Sequence, residues 1–143
     1  MTVKAILSLK GGDVVTIGPT ASLATAAKVL AERGIGALVV MDSAGCVAGI
    51  LSERDIVRSL AERGSAALYE PLDQAMTRGV ITSTESMTIS EVMRRMTADK
   101  FRYLPVIELG RLVGIVSIGD VVKYRLTAMQ HETQSVHDYI LTA

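Results

Sequence analysis

Hydrophobic and polar positions along this chain follow two periods in turn. Short apolar runs at Val14–Ile17, Ala37–Met41 and Val47–Leu51 read as strands, and so do Val80–Ser83, Tyr103–Ile107 and Leu112–Val116. Between them apolar residues fall at i, i+3, i+4 and i+7: Leu23, Ala26, Ala27, Leu30, and again Ile89, Val92, Met93, Met96. That spacing lines one face of a helix. Ser22 and Thr88 stand where N-caps belong, Thr88-x-x-Glu91 has capping-box spacing, and Gly34 suits a helix C-terminus. Hairpin turns fall at Asp42-Ser43-Ala44-Gly45 and, more tightly, at Glu108–Gly110. A further helix opens from Ser52 and another from Ser117.

The two halves therefore spell the same unit. Setting Val14–Val40 beside Val80–Val106, and Gly45–Val57 beside Gly110–Val122, leaves ten of 40 aligned positions identical. Five cluster in one string, where Gly-Ile-Leu-Ser-Glu-Arg-Asp-Ile-Val reappears as Gly-Ile-Val-Ser-Ile-Gly-Asp-Val-Val. The pattern predicts an α/β (α+β) fold of two tandem βαββα repeats with pseudo-two-fold symmetry, plus a C-terminal helix. A unit this short buries too little surface to be secure alone, so the copies are expected to share a core and leave two related clefts. Residues 1–60 form the first repeat with its lead-in (Val3, Ile6, Leu7). Residues 61–79 are the linker and second lead-in (Leu72, Ala75, Met76), and 80–127 are the second repeat. Residues 128–143 form a helical tail, with Met129, Val136 and Ile140 on its apolar side. Pro105 has no N–H for a ladder and predicts an edge or a break in pairing.

Composition narrows the function. Half the residues are hydrophobic (49%), enough for a filled core of Val, Ile, Leu, Met and Ala. Met93 and Met96 read as packing, and Cys46 as an ordinary strand residue beside a turn. No apolar run approaches the roughly 18–20 residues that span a bilayer. The N-terminus lacks signal-peptide architecture, and a single cysteine fits a reducing, cytoplasmic setting. The 15 basic and 15 acidic residues balance, which argues against broad capture of nucleic acid or membrane but allows a local basic pocket. His131 and His137 are six apart, and with one Cys no metal site is expected.

The strings Gly49-Ile50-Leu51-Ser52-Glu53-Arg54-Asp55 and Gly114-Ile115-Val116-Ser117-Ile118-Gly119-Asp120, each after a Thr-led β segment and a helix, resemble the cystathionine-β-synthase (CBS) domain family. Phe101-Arg102-Tyr103-Leu104-Pro105-Val106 is similar to the family's first core strand. The resemblance spans residues 2–127, with no catalytic domain left over. It implies a stand-alone CBS pair, a Bateman-type module, that regulates by binding AMP, ADP, ATP, NAD(H) or S-adenosylmethionine, with AMP foremost. It also implies homodimers.

Each candidate residue has two readings. Ser52-x-x-Asp55 and Ser117-x-x-Asp120 are capping boxes in their own right. The same helix mouths suit phosphate, and an ionised carboxylate suits ribose hydroxyls, which is how the family uses these positions. Thr16 and Thr82 are β-branched strand residues or, by the resemblance, neighbours of the ribose-phosphate. Arg54, Lys100 and Arg102 are a solvated charged face or phosphate ligands. Tyr103 stands where many family members carry His or Arg. Gly119 in place of Arg54 makes the two clefts unequal. The chain shows no Walker lysine motif, no G-x-G-x-x-G and no supported Ser/His/Asp set, so a binding module is expected rather than an enzyme. The alternative is a structural, oligomerising module with vestigial clefts acting through a protein partner.

Overall fold

The computed structural model describes residues 1–142, with side chains described through Gln130. Helix α1 (Val3–Lys10) leads in. The first copy follows as β1 (Thr16–Ile17), α2 (Leu23–Arg33), β2 (Ala37–Met41), β3 (Val47–Ser52) and α3 (Glu53–Arg63). Two 3₁₀ turns, Gly64–Tyr69 and Leu72–Gln74, carry the chain to the second copy: α4 (Ile89–Asp99), β4 (Tyr103–Glu108), β5 (Arg111–Ser117) and α5 (Ile118–Thr142).

The helices start where capping chemistry puts them. Ser22 Oγ accepts from the Thr25 N–H at 3.1 Å, and Thr88 Oγ1 accepts from the Glu91 N–H at 3.2 Å. Helix α2 stops at Gly34 in the left-handed conformation (φ 63°). Helix α4 stops the same way at the aligned residue, Lys100 (φ 60°), although a side chain there costs roughly 1–2 kcal/mol.

Strands β2 and β3 pair antiparallel, as do β4 and β5, with a bulge at the matching places Val40/Met41 and Val106/Ile107. Strand β1 runs parallel to β2 and pairs Thr16 with Val39. The expected partner strand Val80–Ser83 shrinks to one parallel bridge, Ser83 to Val106. The reason is one missing proton. Val39 donates its N–H to Val15 O at 3.3 Å, and the aligned residue in the second copy is Pro105, which has none to give. Cys46 falls in the turn ahead of β3, exposed, with its N–H on Asp42 Oδ1 at 2.9 Å, and is not a strand residue.

The copies do not pool their side chains into one core. One cluster gathers Leu23, Leu30, Leu38, Val40 and Leu51 from the first copy, and the other gathers Ile89, Val92, Met96, Leu104 and Val116 from the second. Each is completed by the other copy's lead-in. Val3, Ile6 and Leu7 of α1 lie in the second cluster, and Leu72, Ala75 and Met76 lie in the first. The exchange is reciprocal to the bond. Leu72 N–H donates to Ala21 O at 2.8 Å, and Val3 N–H donates to the aligned Met87 O at 2.9 Å. Met76 presses on Gly49 and Leu7 on Gly114, the paired glycines of the repeat. Met93, read as core, is partly exposed at 37%, while Met96 is buried.

The C-terminal tail is not a separate helix. Helix α5 runs unbroken from Ile118 to Thr142, so the last helix of the second copy and the tail are one element. Val136, Ile140, His131 and His137 lie outside the residues whose side chains are described. Among the described residues no helix is long and apolar enough to cross a membrane.

Candidate functional site

A cleft of about 420 Å³ opens between the halves. The first copy supplies Gly36, the end of β3 (Ile50, Ser52) and the first turns of α3 (Glu53, Arg54, Asp55, Arg58). The linker supplies Thr77 and Val80, and the second copy supplies Lys100 through Tyr103 ahead of and entering β4. Six of the ten residues singled out from sequence therefore meet in one hollow: Ser52, Arg54, Asp55, Lys100, Arg102 and Tyr103. Thr16 lies elsewhere, in a hollow beside the hairpin turns with Asp13 and Arg111. Thr82 is exposed and is not among the residues that line the cleft. Ser117 and Asp120 form a second helix mouth at the start of α5.

Sequence reasoning missed three contributors. Arg58 donates to Asp55 Oδ1 at 2.7 Å, an i, i+3 pair that helical spacing could have revealed. Gly36 lies against the Tyr103 hydroxyl, and only a glycine lets the phenol come so near. Lys10 comes from α1, and no local signal in the sequence ties it to Asp120.

The capping half of each two-way reading is realised. Ser52 N–H donates to Asp55 Oδ2 at 2.9 Å, the Ser52 hydroxyl donates to the same oxygen at 3.1 Å, and Asp55 N–H donates back to Ser52 Oγ at 3.4 Å. Asp55 is buried (4% exposed) at the base of the cleft. Ser117 and Asp120 repeat the box, with Ser117 N–H on Asp120 Oδ2 at 2.9 Å and Asp120 N–H on Ser117 Oγ at 3.0 Å. Lys10 Nζ also donates to Asp120 Oδ2 at 2.6 Å and to Ile115 O at 2.9 Å. Neither aspartate is bare: each carries its cap and one cation.

Electrostatics separate the two mouths. The cleft holds four cations (Arg54, Arg58, Lys100, Arg102) against two carboxylates (Glu53, Asp55). Arg54, Arg58, Lys100 and Arg102 are exposed to solvent, so their charge faces the hollow without burial cost. At the second mouth burial alone would raise the Asp120 pKa. The Lys10 hydrogen bond, the Ser117 backbone N–H and the Lys10 charge outweigh it and hold the carboxyl below its ordinary value. Tyr103 is shifted the other way, by burial first and then by the Glu53 carboxylate, against the opposing pull of Arg102 and Arg54. Its phenol stays protonated and is a hydrogen-bond donor in the cleft wall. Among the described residues no group of three or more His, Cys, Asp or Glu side chains could hold a metal ion.

Known proteins share this architecture. The CBS-domain protein ATU1752 from Agrobacterium tumefaciens superposes with a TM-score of 0.83 at 48% identity, over 87% of this chain and 92% of that one. The CBS domain pair of protein MJ0100, solved in complex with 5′-methylthioadenosine and S-adenosyl-L-methionine, gives a TM-score of 0.77 at 30% identity over 91% and 98%. The CBS domain protein PAE2072 from Pyrobaculum aerophilum, complexed with AMP, gives 0.75 at 25% identity over 84% and 89%. The chain spans 66% and 58% of the length of two curated relatives to which it is 38% and 33% identical. The CBS domain profile matches twice, at residues 3–62 and 72–127, and each match ends inside the repeat that the hydrogen bonds trace. The chain belongs to the CBS domain family, as a tandem pair.

Proposed function

We propose that this CBS pair is a regulatory module whose cleft between the halves binds an adenine nucleotide, with AMP the preferred ligand and ATP or NAD(H) of the same class. The observation that carries the reading is the meeting of four cations with the Ser52/Asp55 helix mouth in one hollow of about 420 Å³, a volume in the range of small-molecule sites. The phosphate faces Arg54, Lys100 and Arg102, and the N-terminal end of the α3 dipole adds a partial positive charge. The ribose takes Asp55 Oδ1 as Arg58 swings off it to the phosphate. Arg58 is 56% exposed and can turn away into solvent, while the ribose hydroxyls replace it on the buried carboxylate, which is 6% exposed.

The structural neighbours MJ0100 and PAE2072 bind adenosine compounds, which supports the nucleoside half of this reading. The surplus of positive charge favours a phosphorylated ligand over a sulfonium such as S-adenosylmethionine. The module acts by binding rather than catalysis, in the cytosol, and as a homodimer. Support for self-association comes from the repeat itself, since the aligned Val57 and Val122 are 65% and 49% exposed, with Ile118 and Leu126 beside Val122 along α5.

Titration calorimetry with AMP, ATP, NADH and S-adenosylmethionine tests the reading. AMP is expected to bind and S-adenosylmethionine to bind more weakly. No heat from any of them at millimolar concentration would leave the oligomerising module with vestigial clefts.

A further inference from the structure

The two halves carry the same Ser-x-x-Asp pair, but what faces the pair differs. In the first copy Ile50, Ser52 and Asp55 border the cleft, and the Ile50 carbonyl accepts a backbone N–H from Thr77 at 2.8 Å. In the second copy the aligned carbonyl, Ile115 O, accepts the Lys10 ammonium at 2.9 Å, and the same ammonium reaches Asp120 Oδ2 at 2.6 Å. Lys10 is fastened from behind as well, because α1 is anchored by buried Val3, Ile6 and Leu7. The surroundings also differ. Arg54, Lys100 and Arg102 of the cleft align with Gly119, Gly34 and Gly36.

We propose that Lys10 is a built-in occupant of the second helix mouth, so that each chain carries one nucleotide and Lys10 sets that number. The inference rests on the nucleotide reading of the first cleft. A ribose hydroxyl would bond the ionised Asp120 without bringing a counter-charge, whereas the ammonium brings a full positive charge and makes an ion pair at 2.6 Å. To enter, the ribose must break two Lys10 bonds and gains a poorer phosphate cradle, because glycines stand where three of the four cations would be and only Lys123, aligned with Arg58, is kept. The Arg58–Asp55 pair in the first cleft is different in kind. Arg58 belongs to the same helix as Asp55, is mostly exposed, and finds a new partner in the incoming phosphate. Lys10 arrives from another element and holds a backbone carbonyl in addition to the carboxylate.

The test is the stoichiometry of AMP per chain, by calorimetry, for the wild type and Lys10→Ala. The wild type is expected to bind one AMP. Lys10→Ala is expected to bind two, the second at least tenfold weaker than the first for want of the three cations. The first equivalent, unchanged within about twofold, shows that the variant is folded. If Lys10→Ala does not fold, Lys10→Gln, which keeps the stem without the charge, is read the same way. Two equivalents in the wild type, or one in a variant whose first site is intact, overturns the proposal. No heat from either protein is a separate failure, which removes the nucleotide reading of the first cleft itself.

Discussion

The phenolic oxygen of Tyr103 stands 2.5 Å from the point where a β-carbon on Gly36 would lie. The contact joins the start of β4 in the second copy to the residue just before β2 in the first, and it sets the wall of the cleft. A methyl at Gly36 must push the phenol aside. The ring carbon behind the hydroxyl is 3.7 Å away, an ordinary contact, so the clash belongs to the oxygen alone. Gly36→Ala is expected to cost about 1–3 kcal/mol by overpacking, and Tyr103→Phe in the same chain to recover most of that loss. A double-mutant cycle read by urea midpoints measures this coupling. Purely additive effects would mean that the phenol is not what Gly36 makes room for.

Lys100 ends α4 in the left-handed conformation, where the first copy uses Gly34. A lysine held there, on the lip of the cleft, is backbone strain at a candidate binding position. Lys100→Gly is expected to raise stability by about 1 kcal/mol and to weaken AMP several-fold. Thermal melts with and without AMP read both effects at once. Stabilisation without loss of AMP binding would leave Lys100 a surface residue with no part in the cleft.

How much of this could be seen before folding depends on the range of the interaction. The repeat, the caps at Ser22 and Thr88 and the left-handed stop at Gly34 are written within a few residues of one another, and each is found in place. The lost strand at Val80–Ser83 was foreshadowed by Pro105, whose missing N–H breaks the pairing. The exchange of lead-ins was not legible, because Val3 and Leu72 carry the same apolar spacing and nothing local says which core receives which. Six site residues converge because they flank the ends of β3 and β4, which pattern could locate. Thr16 departs because β1 leads away to the hairpin-turn end of the first sheet. Lys10 and Asp120 are 110 residues apart, and only the reciprocal packing of α1 brings them together.

Asp55 serves stability and binding together, and the two can be separated. Its carboxylate closes the capping box of α3, so Asp55→Ala is expected to cost about 1–2 kcal/mol in addition to weakening AMP. The Arg102 side chain carries no such duty: it is exposed and lines the cleft. Arg102→Ala is therefore expected to leave the urea midpoint unchanged and to weaken AMP about tenfold, with adenosine, which has no phosphate, unaffected. Competition binding with both ligands decides it. Equal losses for AMP and adenosine would place Arg102 against the nucleoside, or against the fold, and not against phosphate.

The Lys10–Asp120 pair also predicts a pH dependence whose sign follows from the direction of the shift. Burial opposes ionisation of Asp120, but the Lys10 and Ser117 bonds prevail and the folded pKa lies below the ordinary value. In the unfolded chain the group titrates near pH 4, so between the two values the unfolded state binds more protons and stability rises with pH. The contribution is fully present above about pH 4 and is lost as pH falls through the folded value. Both side chains keep some exposure, 32% for Lys10 and 23% for Asp120, so solvent screening discounts the worth of the pair to the fold. Urea midpoints of the wild type and Lys10→Ala are thus expected to differ at pH 7, to converge as pH drops below about 4, and to coincide once Asp120 is protonated in both states. A gap that stays constant from pH 7 to pH 2 would show that Lys10 acts through the packing of α1 and not through the carboxylate it holds.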